Sequence, residues 1–530
     1  MFNILVSDPL SNSGIQALLN ADDVHVDQKT DMDEAELIKV IPNYDALLVR
    51  SQTKVNSDVL RAATNLKVIG RAGVGVDNID IAAATEKGIL VVNAPDGNTI
   101  SAAEHAMAMM MSLARNIPRA YQSMVAGEWN RTAFRGVELN KKTLGIIGMG
   151  RIGTEVSYRA KGFQMHVIAF DPFLSEERAK KLGVEKGSVE DVVKVADFIT
   201  VHTPLTKETH HLLSTDEFNL MRPGVRLINC ARGGIIDEQA LYKAIHEGKV
   251  AGAALDVFET EPPINNPLVT LPQVIVTPHL GASTEEAQEL VARDVSEEVL
   301  HILNNKAFKN AVNLPAMSSE TMAKLEPYSL LGTKLGEMII QITEGTPEDI
   351  QITYSGELTE LDTAHLTRMI LKGMLSYHLG SQVNLVNATH LAKAHGLSYT
   401  VKNSAHDRGF TSLINVSIKT ENQERSVSGT LLNGYGPRII KIDDYTIDIS
   451  PEDHLLLIHH IDRPGLIGHV GSVLGETAIN IGSMQVARQN IGGRAIMMLS
   501  IDKKAEESVV EKLEQIQDII SVKEIEIVSR

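Results

Sequence analysis

Residues 143–153 read TLGIIGMGRIG, an apolar run that ends in a G-x-G-x-x-G motif and leads into a helix-like stretch. In this context Gly148 predicts a tight turn, Gly150 a close approach of a pyrophosphate to the backbone, and Gly153 close packing of helix on strand. The N-terminus of the following helix then faces the phosphates. The motif therefore predicts the dinucleotide-binding turn of a Rossmann-type fold.

An acidic residue follows the next apolar run, HVIAFD. Asp171 lies 18 residues after Gly153, where a carboxylate accepts hydrogen bonds from the ribose hydroxyls of the adenosine. A 2′-phosphate at this place meets a like charge, and no arginine follows Asp171 immediately. The pattern therefore favours NAD over NADP.

Apolar runs that alternate with helix-like stretches extend in both directions from the motif. Before it stand FNILVSD, DALLVRS, LKVIGRA and GILVVNA, which predict a small α/β domain. From the motif onwards stand TLGIIG, HVIAFD, FITVH, RLINCA, GAALDV and QVIVTPH, which predict six parallel strands. Residues 103–115 are rich in Ala, Met and Leu on all sides, as expected of a helix buried between lobes or subunits.

The C-terminal part shows a different order of elements. Its last segments read strand, helix, strand, strand, helix, strand, the order of a ferredoxin-like module. We expect a substrate-binding domain at 1–97 and 285–312, a nucleotide-binding domain at 98–284, an intervening α+β domain at 313–450 and a regulatory domain at 451–530.

The charge balance restricts the partners. A formal net charge of −17 disfavours nucleic acid and anionic membranes, so an anionic substrate needs a local cluster of arginines. The single cysteine, Cys230, excludes an intrachain disulfide, and the first residues lack a basic, apolar leader. We therefore expect a cytoplasmic location and no membrane span. We also expect no metal site, since the adjacent His459 and His460 point to opposite faces of a predicted strand.

Three residues that follow apolar runs have the chemistry of hydride transfer between a hydroxy acid and a nicotinamide. His279 can exchange the hydroxyl proton, Glu261 can hold its second ring nitrogen, and Arg232 can bind a carboxylate with two parallel hydrogen bonds. Taken singly, His279 could be a turn residue and Arg232 a helix cap. Gly73-Val74-Gly75 predicts either a close backbone approach to a substrate anion or merely a turn.

Together with GMGRIG, the segments NCARGGIID, ALDVFETEPP and VIVTPHLGAS resemble the signatures of the D-isomer-specific 2-hydroxyacid dehydrogenase family, over residues 1 to about 310. The resemblance implies catalytic roles for Arg232, Glu261 and His279, and NAD as cofactor. It places Asp256 at the nicotinamide carboxamide and makes Cys230 a pocket wall rather than a nucleophile. The implied cofactor contacts are Val74, Gly148, Gly150, Arg151, Ile152, Gly153, Asp171, Thr203, Cys230, Ala231, Asp256 and Gly281.

Within this family, RSQTKV, GRAGVGVDNID, PDGNTISAAEHA and PHLGAST are most similar to long-form members that oxidise D-3-phosphoglycerate to 3-phosphohydroxypyruvate, the first step of L-serine biosynthesis. Candidate substrate contacts are Arg50, Ser51, Arg71, Asn98 and Arg131. Two alternatives stay open. One is another D-2-hydroxyacid dehydrogenase, acting on 2-hydroxyglutarate or hydroxypyruvate, and the other is a non-catalytic NAD-sensing scaffold.

The segment IDRPGLIGHVGSVLGETAINIGSM resembles the ACT domain, an amino-acid-binding unit. The resemblance implies L-serine as effector, held by His460, Asp462 and Asn480, and a homotetramer. Some serine-regulated members carry asparagine where this chain has Asp462. The alternative is a module that only joins subunits and binds no effector. The resemblance also implies anion binding by the intervening domain, at residues that the sequence does not identify.

Overall fold

The computed structural model describes residues 1–315, 317–405 and 409–528. The first lobe contains a five-stranded parallel sheet in the order β2-β1-β3-β4-β5. Its strands and helices are β1 (Phe2–Val6), α1 (Gln16–Leu19), β2 (Val24–Gln28), α2 (Glu34–Val40), β3 (Ala46–Val49), α3 (Ser57–Ala62), β4 (Val68–Arg71), α4 (Ile81–Glu86) and β5 (Leu90–Asn93). The order is that of flavodoxin-like folds, as predicted.

Two helices lead out of the first lobe, α5 (Thr99–Arg115) and α6 (Ile117–Val125). The second lobe has a seven-stranded parallel sheet in the order β12-β11-β10-β9-β6-β7-β8. Its elements are β6 (Thr143–Ile147), α7 (Arg151–Gly162), β7 (His166–Phe170), α8 (Glu176–Leu182), β8 (Glu185–Lys186), α9 (Val189–Val195), β9 (Phe198–Val201), α10 (Thr215–Leu220), β10 (Val225–Asn229), α11 (Glu238–His246), β11 (Val250–Leu255) and β12 (Val274–Val276).

The six strands predicted for this lobe are present, and the seventh is the two-residue edge strand β8. Such a short edge strand has exposed charged residues and no apolar pattern that sequence analysis could detect. The strand order reverses between β6 and β9, and parallel α/β sheets bind ligands at such a switch point. The Rossmann-type fold is confirmed.

Helix α12 (Glu285–Leu303) returns the chain to the first lobe. Its residues Val291, Val295 and Val299 lie in the same hydrophobic cluster as Ile4 and Val68 of that lobe. A Cβ built on Gly14 would lie 2.4 Å from the Cβ of Ala292, so the helix packs directly on the backbone. The second lobe is therefore inserted into the first.

The intervening region forms a six-stranded mixed sheet in the order β14-β13-β15-β16-β17-β18, covered by helices. Its elements are α13 (Ser319–Ile342), β13 (Asp349–Gly356), α14 (Ala364–Leu379), α15 (Ala388–Ala394), β14 (Ser398–Ser404), β15 (Ser412–Lys419), β16 (Glu424–Leu432), β17 (Gly436–Ile442) and β18 (Tyr445–Ile449). Strands β13 and β14 are parallel, and the other pairs are antiparallel.

The C-terminal module has a four-stranded antiparallel sheet in the order β20-β21-β19-β22. Its elements are β19 (His454–Ile461), α16 (Leu466–Glu476), β20 (Ile481–Arg488), β21 (Arg494–Ile501), α17 (Glu507–Glu514) and β22 (Ile519–Glu526), as predicted. Leu455 and Leu457 face a core shared with α13, whereas Leu456 and Ile458 face the module's own helices. No helix of the described part of the chain is long and apolar enough to cross a bilayer.

Candidate active site

The glycine turn after β6 has the geometry that its sequence predicts. Gly148 has φ +100°, and a Cβ there would lie 2.5 Å from the carbonyl oxygen of His202. A Cβ on Gly153 would lie 2.0 Å from the carbonyl oxygen of Gly148, so α7 packs on the strand only with glycine at 153. No described atom lies within 4 Å of a Cβ built on Gly150. The turn thus leaves open space for a ligand in front of the N-terminus of α7.

Asp171 lies against this turn. Its Oδ2 accepts the Met149 N–H at 2.8 Å and its Oδ1 accepts the Phe173 N–H at 2.7 Å. Arg178, on α8, donates from Nη2 to the Met149 carbonyl at 3.0 Å. Sequence analysis missed Arg178, because it lies seven residues beyond Asp171 and reaches the turn only through the helix.

Other predicted cofactor residues lie just after β9 and β10 or in the first turn of α7. Thr203 follows β9, and its Oγ1 is buried without a partner among the described residues. Cys230 and Ala231 follow β10, and burial raises the pKa of the Cys230 thiol, which therefore stays protonated. Arg151 forms an ion pair with Asp96. Ile152 packs against the core of the second lobe. The residues present fit NAD, because the turn leaves open space at Gly150 and the Thr203 hydroxyl has no partner in the described part of the chain.

His279 and Glu261 are directly joined. The Nδ1 of His279 lies 2.9 Å from Oε2 of Glu261, whose Oε1 accepts the Phe258 N–H at 3.2 Å. Burial opposes ionisation of Glu261, but the hydrogen bond and charge of His279 outweigh it, so the pKa of the carboxyl lies below its usual value. The carboxylate therefore holds Nδ1 and leaves Nε2 free for a substrate proton.

Asp256 holds the turn that carries His279. Its carbonyl accepts the His279 N–H at 2.9 Å. Its Oδ1 accepts the Leu280 N–H at 2.7 Å, and its Oδ2 accepts the Gly281 N–H at 2.9 Å. Three consecutive backbone amides thus bind one residue, which supports the left-handed φ of +55° at His279. Burial raises the pKa of Asp256, but hydrogen bonds from His105 and Thr277 outweigh it, and the net pKa is lowered.

Arg232 reaches from the second lobe to the first. Its Nε donates to Asp77 Oδ2 at 2.9 Å, and a Cβ built on Gly75 would lie 1.7 Å from its Nη2. Val74 lies in the same loop, with its carbonyl held by Asn93 Nδ2 at 2.6 Å. The Gly73–Gly75 loop is therefore a site of close approach for a guanidinium group.

Arg71, at the end of β4, is a half-buried cation near two further arginines, Arg232 and Arg50, and near the carboxylates of Asp77 and Asp8. Burial lowers its pKa to about 10, and the charges of Arg232 and Arg50 act in the same direction. The Nε of Arg71 has no hydrogen-bond partner within the described ranges. A buried, unsatisfied donor next to like charges is costly unless an anion binds there. This cluster fits a phosphate or carboxylate.

Two residues that sequence analysis missed order the loop of Arg50 and Ser51. Asp8, buried at the end of β1, accepts the Arg50 N–H and the Thr53 hydroxyl at 2.6 Å. Asn78 donates to the Arg50 carbonyl at 2.8 Å. Ser51 is exposed in this loop. The signal for Asp8 was an acid at the end of the first predicted strand, inside FNILVSD.

The two remaining substrate candidates lie apart. Asn98 precedes α5, and its Oδ1 is buried with no partner in the part of the chain described. Arg131 is exposed beside Trp129, in a groove that is also lined by Met124 and Phe134. This groove does not contain the arginines of the first lobe, so one chain alone does not bring Arg131 to them.

One chain does not bring the three predicted effector residues together: His460 and Asp462 lie at the end of β19, before α16, whereas Asn480 follows α16 and lies level with the start of β19. His460 is buried, and its Nε2 has no partner among described residues. The Oδ2 of Asp462 accepts Arg488 Nη1 at 2.9 Å and the Gly492 N–H at 3.2 Å. The hydrogen bond from Gly492 and then that from Arg488 hold the pKa of Asp462 below its usual value. Asn480 is exposed, and its N–H donates to Asp502 Oδ1 at 3.0 Å.

Two groups of potential metal ligands occur among the described residues: His105, Cys230 and Asp256, and His211, Asp237 and Glu259. In the first group the thiol stays protonated and the oxygens of Asp256 bind protein donors. In the second, His211 is itself hydrogen-bonded to Glu259 at 3.1 Å. Contacts between the histidine and a carboxylate are thus present in both groups, at 3.2 Å for His105 and Asp256 and at 3.1 Å for His211 and Glu259.

Comparisons with known proteins agree with this arrangement. Residues 107–281 match the D-isomer specific 2-hydroxyacid dehydrogenase NAD binding domain, 324–443 the D-3-phosphoglycerate dehydrogenase intervening domain, and 454–518 the ACT domain. The chain is 50% identical to D-3-phosphoglycerate dehydrogenase of Bacillus subtilis, over 99% of this chain and 100% of that one. It is 46% identical to D-3-phosphoglycerate dehydrogenase of Methanocaldococcus jannaschii, over 98% and 99%.

Among solved structures, D-lactate dehydrogenase from Aquifex aeolicus, complexed with NAD and lactic acid, is 30% identical with a TM-score of 0.53. It covers 59% of this chain and 100% of its own, as expected if the two lobes alone are shared. The chain belongs to the D-3-phosphoglycerate dehydrogenase family, a branch of the D-isomer-specific 2-hydroxyacid dehydrogenases with an intervening domain and an ACT domain.

Proposed function

We propose that this chain catalyses the NAD-dependent oxidation of D-3-phosphoglycerate to 3-phosphohydroxypyruvate, the first step of L-serine biosynthesis. The observation that carries the proposal is the half-buried guanidinium of Arg71, whose buried Nε has no partner among the described residues and which has the charges of Arg232 and Arg50 beside it. A substrate with a carboxylate and a phosphate satisfies such a cluster in a protein whose net charge is −17.

The mechanism follows from the catalytic residues. Arg232 binds the substrate carboxylate and orients the C2 hydroxyl towards His279. The Nε2 of His279 takes the hydroxyl proton, while Glu261 holds Nδ1 and stabilises the imidazolium that forms. The chemistry that NAD supplies when bound is acceptance of the hydride from C2. In the reverse direction His279 returns the proton to the carbonyl oxygen.

The phosphate assignment distinguishes this substrate from its alternatives. Arg50 and Arg71 lie at the ends of neighbouring strands β3 and β4, and Asp8 and Asn78 hold the Arg50 loop in place. An enzyme for hydroxypyruvate, which has a single anionic group, has no need for this second cluster of cations, and the distal carboxylate of 2-hydroxyglutarate carries less charge than a phosphate. The catalytic set of Arg232, Glu261 and His279 also disfavours a non-catalytic NAD-sensing scaffold.

Steady-state kinetics with a panel of acids test the proposal. We expect NAD reduction with D-3-phosphoglycerate at a kcat/KM well above that with D-2-hydroxyglutarate, and NADH oxidation with hydroxypyruvate to be weaker than with 3-phosphohydroxypyruvate. Equal rates with phosphorylated and unphosphorylated acids would contradict the assignment of D-3-phosphoglycerate. The chain would then be a D-2-hydroxyacid dehydrogenase of different specificity. If none of the acids is turned over, the alternative that remains is a non-catalytic NAD-sensing scaffold.

We also propose that the chain forms a homo-oligomer, and we expect a tetramer. An apolar surface on and after α6 supports this, because large apolar side chains lie exposed there. They are Ile117, Tyr121, Met124, Val125 and Trp129, exposed by 52%, 69%, 54%, 70% and 77%. A second copy that covers this surface also covers the groove of Arg131. Size-exclusion chromatography with light scattering, on the parent and on Trp129→Ala, tests the assembly.

For the C-terminal module we propose L-serine as effector, held by His460, Asp462 and Asn480. The unpartnered Nε2 of His460 and the ionised Asp462, both at the end of β19 before the turn into α16, support binding of an amino acid. We also propose a cytoplasmic location and four domains. The domains are residues 1–97 with 285–312, residues 98–284, residues 313–450 and residues 451–530.

A further inference from the structure

One histidine near the nicotinamide site has no part in the mechanism above. His105 lies on α5, and its Nε2 is 3.2 Å from Oδ1 of Asp256 and 3.2 Å from Oγ1 of Thr277. The side chain of Asp256 is fully buried, and that of His105 is 19% exposed. Because the Thr277 hydroxyl donates to Oδ1 of Asp256, the N–H of Nε2 is shared between the Thr277 oxygen and Oδ1.

The two oxygens of Asp256 are used unequally. Oδ1 receives the Thr277 hydroxyl at 2.6 Å, the Leu280 N–H at 2.7 Å and His105, whereas Oδ2 receives the Gly281 N–H at 2.9 Å. The donors are concentrated on the Oδ1 side, so Oδ2, with a single donor for its two lone pairs, keeps room for another. A Cβ built on Gly281 would lie 3.3 Å from Oδ2, and glycine there leaves this oxygen approachable.

His105 stands on a well-anchored element. The neighbouring Glu104 accepts Arg159 Nη2 of α7 at 3.2 Å, which ties α5 to the nucleotide-binding helix. Other residues of α5, among them Ala106 and Met110, are fully buried in the core of the second lobe. A donor on such a rigid helix fixes the orientation of its acceptor more precisely than a donor on a loop.

We propose that His105 is a positioning residue for hydride transfer. Through the Thr277 hydroxyl, and by its own contact with Oδ1, His105 orients the Asp256 carboxylate so that Oδ2 stays available for the carboxamide of the nicotinamide and the 279–281 turn that presents His279 is stabilised. The inference rests on the proposed function, since it assumes that the nicotinamide lies beside Asp256. It assigns the residue a role through Asp256 and no contact with substrate.

Two variants separate the hydrogen bond from mere packing. In His105→Gln the side-chain amide can donate from close to the position of Nε2, whereas His105→Leu fills the space without a donor. We expect His105→Leu to raise the Kd for NADH and to lower kcat by about tenfold each. The primary isotope effect with C2-deuterated substrate should rise, because hydride transfer becomes slower. His105→Gln should remain within about threefold of the parent.

Met107→Leu, a volume-conserving change on the same helix, is the matched control. It should leave the Kd for NADH, kcat and the isotope effect unchanged. Circular dichroism checks folding, and His105→Ala provides the same loss of donor if the leucine variant folds poorly. Binding of NADH, followed by its fluorescence, needs no turnover. It therefore tests His105 even if the parent fails to oxidise D-3-phosphoglycerate.

A double-mutant cycle decides whether His105 acts through Asp256. In an Asp256→Asn background, we expect His105→Leu to change NADH binding and kcat by less than about twofold. The same tenfold loss in both backgrounds would overturn the proposal. So would parent-like NADH binding and kcat in His105→Leu.

Discussion

Arg232 of the second lobe is paired with Asp77 of the first lobe across the cleft, with Nε 2.9 Å from Oδ2. The Asp77 side chain is 65% exposed and that of Arg232 28% exposed, so water screens the pair and it contributes little stability. A substrate carboxylate can therefore replace Asp77 as the partner of the guanidinium. The pair holds Arg232 near its working position before substrate binds.

This arrangement predicts the effect of Gly75→Ala. The new methyl group would lie 1.7 Å from Nη2 of Arg232, so the guanidinium must move by more than an ångström. We expect kcat/KM for D-3-phosphoglycerate to fall by about a hundredfold, because displacement of a substrate-orienting group costs that much. Gly162→Ala, where no described atom lies within 4 Å, is the control and should match the parent. Parent-like kinetics in Gly75→Ala would contradict the assigned role of Arg232.

Removal of Arg50 tests the phosphate site. In Arg50→Ala we expect the KM for D-3-phosphoglycerate to rise about tenfold or more, because a charge-assisted hydrogen bond to phosphate is lost. The KM for 2-hydroxyglutarate should change by less than about threefold. Lys54→Ala removes an exposed cation of the same loop and controls for net charge. Equal effects of Arg50→Ala on both acids would remove the phosphate assignment.

Much of this site was predictable from sequence. The glycine turn, Asp171, Arg232, Glu261 and His279 all follow apolar strands, and parallel strands bring their carboxyl ends to one edge of the sheet. A residue that follows a predicted strand closely in sequence can therefore be assigned to this edge of the sheet.

The contacts that hold these residues were not predictable. His105 stands in an Ala/Met helix whose composition indicates only burial, and its partner Asp256 is 151 residues away. Asp77 was visible as an acid after Gly75, but its pairing with Arg232 depends on how the two lobes meet. The strand β2 was missed as well, because its sequence VHVDQ is only partly buried at the edge of the sheet.

Acid should loosen the contact between the C-terminal and intervening sheets. Burial, and then the charges of Arg425, His460 and Arg494, lower the pKa of His459 from 6.5 to about 4. Between these values the unfolded chain binds a proton that the folded chain does not, so stability falls as pH falls from 6.5 to 4. The loss is at most about 3 kcal/mol. His459 also lies 3.3 Å from the Ser521 hydroxyl.

Urea unfolding at pH 7 and pH 4.5 checks this expectation. His459→Asn, which does not titrate, should lose less stability between the two pH values than the parent. The exposed His390→Asn serves as control and should behave as the parent does. An unchanged pH dependence in His459→Asn would show that other groups cause it.

The C-terminal module should bind L-serine. Titration calorimetry of the full chain should give heat with L-serine and none with D-serine, because the site must distinguish the positions of ammonium and carboxylate. Asp462→Ala should abolish the heat, since the carboxylate held by Arg488 and Gly492 is the expected partner of the ammonium group. If serine gives no heat and leaves the activity unchanged, assembly is the role that remains for the module.

The central claim is that His279, oriented by Glu261, moves the proton while hydride passes to NAD. The most direct measurement is the steady-state rate of NAD reduction with D-3-phosphoglycerate in the parent and in His279→Gln, with NADH binding measured alongside. We predict that kcat falls by about a hundredfold to ten-thousandfold while NADH affinity stays within about threefold, because a general base contributes that much to the rate. An unchanged kcat in His279→Gln would contradict the account.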